Sequence, residues 1–219
     1  MAGFFASCNR EAIMKGSITI PFYGTWSADI DVDTGAPIKG PVTLVLGPLT
    51  LQGSAYRSDV FAGIASARIV GGGGGWGKSL PSKAYNLPGG VPVSMVLGDA
   101  AIECGEKVSG ASGTLGAFWV RDQAPAARTL RLMAGTIWWM DMTGTTQLLP
   151  RPTPTIRSAF EVISDEPGSG RVVVATESPQ DWVPGAIFSS PTTAPTPISS
   201  VTHTLTNAGI GRTEILIAT

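Results

Sequence analysis

Five consecutive glycines, Gly71 to Gly75, stand inside the run Arg68-Ile-Val-Gly-Gly-Gly-Gly-Gly-Trp-Gly-Lys-Ser-Leu80. Glycine weakens helix and strand alike and admits backbone conformations that other residues avoid, so no regular element crosses this point. Gly72 to Ser79 also fits the phosphate-loop pattern G-x-x-x-x-G-K-[ST]. That pattern binds nucleotide when backbone N–H groups cradle phosphates and a helix starts at the lysine. Here Pro81 follows Leu80 and biases it toward extended geometry. The next residues show no helical apolar repeat, and Pro88-Gly89-Gly90 ends the segment. Ile137-Trp-Trp-Met-Asp141 imitates the apolar run and aspartate that would hold magnesium, but it continues into Met-Thr-Gly-Thr-Thr, which reads as a hairpin turn. The run is therefore read as a glycine-rich loop between a strand and an extended segment. Nucleotide binding through Gly72–Ser79 remains as an alternative of another class.

Composition narrows the remaining choices. The chain has 219 residues, enough for one large or two small domains with their own cores. Only 14% of residues are charged and the net charge is −1, which argues against a basic grip on nucleic acid or an anionic membrane. The 28 glycines and 17 prolines divide many short apolar runs, a pattern that favours β structure over long helices. Two cysteines, Cys8 and Cys104, make no disulfide framework and match no metal spacing, so buried free thiols are expected. A single histidine, His203, supplies no zinc triad. The N-terminus lacks the basic region of a signal peptide, and no apolar run is long enough to span a bilayer. A soluble protein made in a reducing cytoplasm is expected.

Periodicity divides the chain into parts. Residues 1–16 read as an N-terminal arm. Residues 17–90 read as a first small β-barrel lobe, in which Trp26, Ala28, Ile30 and Val32 alternate with Ser27, Asp29, Asp31 and Asp33. The three aspartates miss the glycine and glutamate positions of a calcium loop and read as a solvated face. Residues 91–150 read as an insert containing helix and strand. Val93, Val96, Leu97, Ala100, Ala101, Cys104 and Val108 follow spacings of three and four, so the pattern predicts a helix over 92–108 that Gly105 closes or loosens. A shorter helix is expected over Pro125–Ala134, a strand over Gly116–Arg121, and a hairpin around Met142-Thr143-Gly144. Residues 151–219 read as a second small β-barrel lobe, with an exposed proline-rich loop from Ser189 to Pro197. The fold class is thus mainly β, two small barrel lobes with an α-containing insert between them.

Several motifs in series resemble baseplate or tail hub proteins of long-tailed bacteriophages. They are Arg68-Ile-Val-Gly-Gly-x-Gly-Gly-Trp, Gly98-Asp-Ala-Ala-Ile-Glu-Cys-Gly-Glu106, and Trp139-Met-Asp-Met-Thr-Gly-Thr with Arg151-Pro152. Gly170-Arg171-Val, Pro184-Gly185, Val201-Thr-His203 and Arg212-Thr213 extend the series, which runs from about residue 17 to the end. The resemblance implies two barrel lobes with a helical insertion, assembled as a homotrimer whose six barrels form a pseudo-sixfold ring. Such a ring links a tail tube or distal tail protein to a central spike or fibre. It lines the genome-ejection channel, through which DNA passes without specific binding. The implied location is the virion tail, assembled in the host cytoplasm without membrane insertion. A six-fold distal tail or tube-end protein is the alternative within the structural class.

Under this reading the chain is a structural protein with no catalytic residues, no cofactor and no metal. No G-x-S-x-G elbow is present, and His203 alternates with Val201 and Leu205 as a packed or edge residue. Glu103 and Glu106 fall on the polar side of the helical pattern and are expected to be solvated. Arg121, Arg128 and Arg131 are read as surface or interface charges. Trp is enriched at interfaces, and Gly73, Trp76, Trp119 and Trp182 are the candidate interface residues.

Overall fold

The alternating segments form the strands of a closed barrel. In a computed structural model describing residues 5–166, 168–206 and 209–217, β1 (Ala6–Cys8), β2 (Glu11–Pro21), β3 (Ser27–Val32), β4 (Pro41–Leu46), β5 (Leu49–Phe61) and β6 (Ile64–Gly71) make a six-stranded ring in the order β1-β4-β5-β6-β3-β2. Pairing of β1 with β2 closes it. Every second residue turns inward. Ala28, Ile30 and Val32 of β3 meet Val42, Leu44 and Leu46 of β4, Leu49 and Leu51 of β5 and Ile69 of β6 in one core. Each large side chain removed from water contributes about 1.5–3 kcal/mol. The outward residues of β3 pair instead: Asp29 with Arg68 at 2.7 Å, and Asp31 with Lys15 at 3.3 Å. The first four residues of the expected N-terminal arm lie outside the described residues. From Ala6 onward that span is built into the barrel through β1 and β2.

A second unit is inserted between the barrel and the C-terminal strands. After a 3-10 turn at Gly75–Gly77 come β7 (Ser79–Leu80), β8 (Lys83–Asn86), α1 (Val93–Cys104), β9 (Val108–Ser109), β10 (Phe118–Arg121), β11 (Ala124–Pro125), α2 (Ala126–Ala134), β12 (Trp139–Met140) and β13 (Thr146–Gln147). The predicted three-and-four repeat is the buried face of α1, made by Val93, Val96, Leu97, Ala100, Ala101 and Cys104. The helix stops before Val108 because Gly105 takes a left-handed conformation (φ 83°) and its N–H closes on the carbonyls of Ala101 and Ile102. α2 packs Ala126 and Leu130 onto α1, and Trp76 from the glycine run completes that core. β12 and β13 form the expected hairpin, and β13 also pairs in parallel with β9.

The last unit contains β14 (Glu161–Glu166), β15 (Arg171–Ala175), β16 (Ile187–Phe188), β17 (Thr196–Thr206) and β18 (Gly209–Ile217), ordered β14-β15-β18-β17 with β16 on β17. A bridge from Thr155 to Ile187 brings the segment before β14 back to β16, so the lobe curls round its core of Trp182, Phe188, Val172, Val174, Ile198, Val201 and Ile215. The turn expected over residues 166–170 includes Pro167, which lies outside the described residues. The loop from Ser189 is mostly exposed. It is tied down by the Asp165 carboxylate, which accepts from the hydroxyls of Ser190, Thr192 and Thr193 at 3.3, 2.5 and 3.1 Å.

The two β units share one continuous sheet. β2 is longer than the barrel seam. Its Glu11 and Ala12 pair with β1, and Lys15 to Pro21 pair with β17 along the same edge. A joint made of backbone hydrogen bonds holds the lobes in a defined orientation, unlike a flexible linker.

Candidate assembly site

The glycine run does form an anion cradle, and the anion is the protein's own. The N–H of Gly73 donates to Glu106 Oε2 at 2.9 Å and the N–H of Gly75 donates to Oε1 at 2.6 Å. Gly72 and Gly74 have φ of 75° and 70°, which turns successive N–H groups toward one point. At Gly73 and Gly75 a Cβ would strike the carbonyls of Gly105 and Cys104, so the loop lies directly on the C-terminal turn of α1. Glu106 was expected on a solvated face. It is buried because the left-handed Gly105 turns the chain back toward the loop. The phosphate-loop alternative fails on backbone geometry: Lys78 is extended and exposed, and β7 and β8 stand where a helix would have to begin.

A second polar cluster clamps the β8–β10 ribbon to α1. Arg121 is 2% exposed, contrary to the expected surface charge. Its Nη2 donates to Glu103 Oε2 at 2.5 Å and to the Pro81 carbonyl at 3.2 Å. Lys83 Nζ donates to Asp99 at 2.6 Å and reaches Glu103 at 3.5 Å, and the Asp99 hydrogen bond holds the ammonium above its ordinary pKa. Glu103 is therefore an ion-pair partner, while Arg128 stays exposed beside Asp122.

The remaining reactive residue types are held inert by burial. His203 faces inward with Val201 and Leu205. Its Nδ1 is 3.0 Å from Thr213 Oγ1, and desolvation lowers its pKa to about 4. Burial raises the thiols of Cys8 and Cys104 to about 11, far from thiolate chemistry at neutral pH. Among the described residues, no group of three or more His, Cys, Asp or Glu side chains is arranged to hold a metal ion. Among the described residues, no helix is long and apolar enough to cross a membrane.

The candidate interface residues do not form one surface. Trp182 is fully buried, with Phe160 edge-on at 5.0 Å. Trp76 is buried in the insert, and its indole N–H donates to Thr146 Oγ1 at 3.0 Å. Both belong to the chain's own cores, which corrects their assignment to an interface. Trp119 is half-buried against Tyr85, with ring centroids 5.9 Å apart. Gly73 is exposed on the loop that Glu106 holds.

The surfaces that the chain does leave available lie elsewhere. One is the tip of the β5–β6 hairpin, where Phe61 is 87% exposed. The alternation within residues 17–90 did not reveal it, because β5 runs on to Phe61, beyond the part of the strand that β4 covers. The signal was present in Ala62-Gly63, which forms a two-residue turn with φ of 50° and 80°. The other is a cleft of about 310 Å³ between the barrel, the β12–β13 hairpin and the strap after Pro150. Its wall is apolar apart from Arg151, Asp141 and Thr143. Arg151 Nη1 donates to the carbonyls of Pro21 and Phe22, each at 2.7 Å, and the guanidinium lies 4.7 Å from the Trp139 ring centroid. Burial lowers its pKa to about 10.

No protein-family model matches the sequence, and no characterised protein matches it either. The fold is shared with solved structures. A 43 kDa tail protein of prophage MuSo2 from Shewanella oneidensis is similar at 11% identity, over 97% of this chain and 95% of that one, with a TM-score of 0.59. A tail protein from Neisseria meningitidis MC58 is similar at 13% identity, over 98% and 96%, with a TM-score of 0.63. The E. coli c3393 protein has 8% identity, over 98% and 77%, with a TM-score of 0.64. It is described as a component of the type VI secretion system with structural similarity to the T4 bacteriophage tail proteins gp27 and gp5. The fold neighbours are thus of the kind that the sequence motifs resemble.

Proposed function

We propose that this chain is a structural, non-enzymatic subunit of a phage-like tail, and within that class a baseplate or tail hub subunit. The observation that carries the proposal is the fold match to tail proteins along nearly the whole chain, at TM-scores of 0.59 to 0.64. In this reading, function comes from assembly geometry. Two β lobes fixed by one shared sheet present similar shapes at a set angle, and three copies place six such lobes around a bore. The insert braces the lobes; it begins after β6 ends at Gly71, so β7 and β8 belong to it and not to a first lobe over residues 17–90. The ring joins the tail tube or distal tail protein on one side to the central spike or fibre on the other, and DNA slides through without specific contacts. Assembly takes place in the host cytoplasm and the product resides in the virion tail.

Native mass spectrometry of the full chain tests the symmetry. A trimer supports the hub, a hexamer supports a tube-end protein, and a monomer that retains nucleotide overturns the structural reading. Immunogold labelling of the intact particle tests the location, and label away from the tail overturns it.

A further inference from the structure

The β5–β6 hairpin is longer than the barrel to which it belongs. β4 covers β5 only from Leu49 to Ser54, so Arg57 to Phe61 pair with β6 alone. At the tip, Phe61 and Ile64 are cross-strand partners and so share a face. Their exposures are 87% and 39%. Asp59 is two residues back on that face, and its side chain is 84% exposed. Its nearest cation, Arg57, is 4.0 Å away and 80% exposed, a contact that contributes little. A single hairpin carrying exposed apolar side chains beside a charge is a surface in need of a partner.

The interlobe cleft is at the opposite end of the barrel. Ser27 pairs with Val70 near Trp26, which lines the cleft, whereas Val32 pairs with Ala65 near the hairpin tip. Ile20, Leu51, Met142, Val183 and Pro184 supply the apolar wall. Arg151 is its only cation, and among the described residues no carboxylate lies within ion-pair distance of it. Asp141 shares the wall, but its oxygens accept from the backbone of Thr143 and Thr145 and from Gln147 Nε2, at 2.9, 2.9 and 2.7 Å.

We propose that the β5–β6 hairpin tip of one copy seats in the interlobe cleft of a second copy. Phe61 and Ile64 enter the apolar wall and Asp59 faces Arg151. The proposal rests on the homo-oligomer reading above and names the contact that builds the oligomer. Tip and cleft are complementary in both respects: an apolar knob with one exposed carboxylate, held only by a weak surface pair, meets an apolar socket whose guanidinium has no ion-pair partner among the described residues. Because they are different surfaces of one chain, the contact is heterologous, and such contacts close into rings when their rotation permits.

The test compares the full chain with Phe61→Asp and Met142→Glu by native mass spectrometry and sedimentation. Each variant alone is expected to be monomeric. An equimolar mixture is expected to recover a one-to-one heterodimer, because the first variant keeps its cleft and the second keeps its tip. Asp59→Asn is expected to weaken self-association about tenfold through loss of the charge pair. Melting curves establish that each variant folds, and Val183→Glu replaces Met142→Glu where that one does not. Oligomers that persist in both variants overturn the contact and leave the oligomeric tail reading intact. A wild-type chain that is monomeric at its highest soluble concentration overturns the contact as well, while the immunogold result decides the tail location separately.

Discussion

The carboxylate of Glu106 accepts hydrogen bonds from the backbone N–H groups of Gly73 and Gly75, at 2.9 and 2.6 Å. A motif whose letters match a phosphate cradle thus holds a carboxylate from the same chain. The same physics operates in both cases, since convergent N–H dipoles stabilise an oxyanion. The difference is the source of the charge, and with it the role: the loop is a tether between the barrel and α1.

Removal of that anion leaves two inward-facing N–H groups without their acceptor. Glu106→Ala is expected to lower stability by about 1.5–3 kcal/mol, the range for hydrogen bonds to a charged group. Urea denaturation checks this, and an unchanged midpoint would show that the tether carries no stability.

The glycines in the run differ in what they tolerate. A Cβ at Gly75 would collide with the Cys104 carbonyl, whereas one at Gly77 meets nothing within 4 Å. Gly75→Ala is expected to cost about 1–3 kcal/mol through overpacking. Gly77→Ala is expected to stay within about 0.5 kcal/mol of wild type. Thermal melts of the two variants side by side distinguish them, and equal losses would contradict the close approach.

Acid should weaken the β17–β18 pairing through His203. Its pKa in the fold is about 4, below the ordinary 6.5, so the folded protein favours the neutral ring. Above about pH 6.5 the group contributes no pH dependence. Between about 6.5 and 4 the unfolded chain takes up a proton that the folded chain refuses, and stability falls by up to about 3 kcal/mol. His203→Gln removes the titrating ring. The difference in unfolding free energy between variant and wild type, followed across that window, is expected to change with pH. A difference that stays flat would show that the ring titrates normally.

Trp182 is a core residue of the C-terminal lobe, packed against Phe160 and Phe188. Trp182→Ala is expected to destabilise by about 3–5 kcal/mol, the usual range for a buried aromatic. A melting temperature within a degree or two of wild type would return Trp182 to the surface that the sequence reading assigned it.

Much of the architecture was legible because local patterns carry it. The alternation from Trp26 to Val32 marked a half-buried strand, the repeat from Val93 to Cys104 marked α1, and Gly105 marked its end. Pro81 was enough to turn the glycine run away from a phosphate loop, and β7 and β8 are extended as it required. The failures were of another kind. Glu106 and Arg121 carry charge, and charge by itself reads as solvent exposure. Each is buried only because a partner distant in sequence satisfies it, Gly73 and Gly75 in one case and Glu103 in the other. Trp76 and Trp182 were ambiguous because a large aromatic suits a core and an interface equally.

The sequence by itself determined which segments are strands and helices, where turns stop them and which faces are apolar, because these depend on the period of side chains along one element. Only the tertiary structure decided that β2 would divide one edge between β1 and β17, that the glycine cradle would close on Glu106, and that Arg151 would face a largely apolar cleft with no carboxylate in ion-pair distance among the described residues. Those are relations between residues far apart in the chain. They follow from how the packed elements meet, and no local period encodes them.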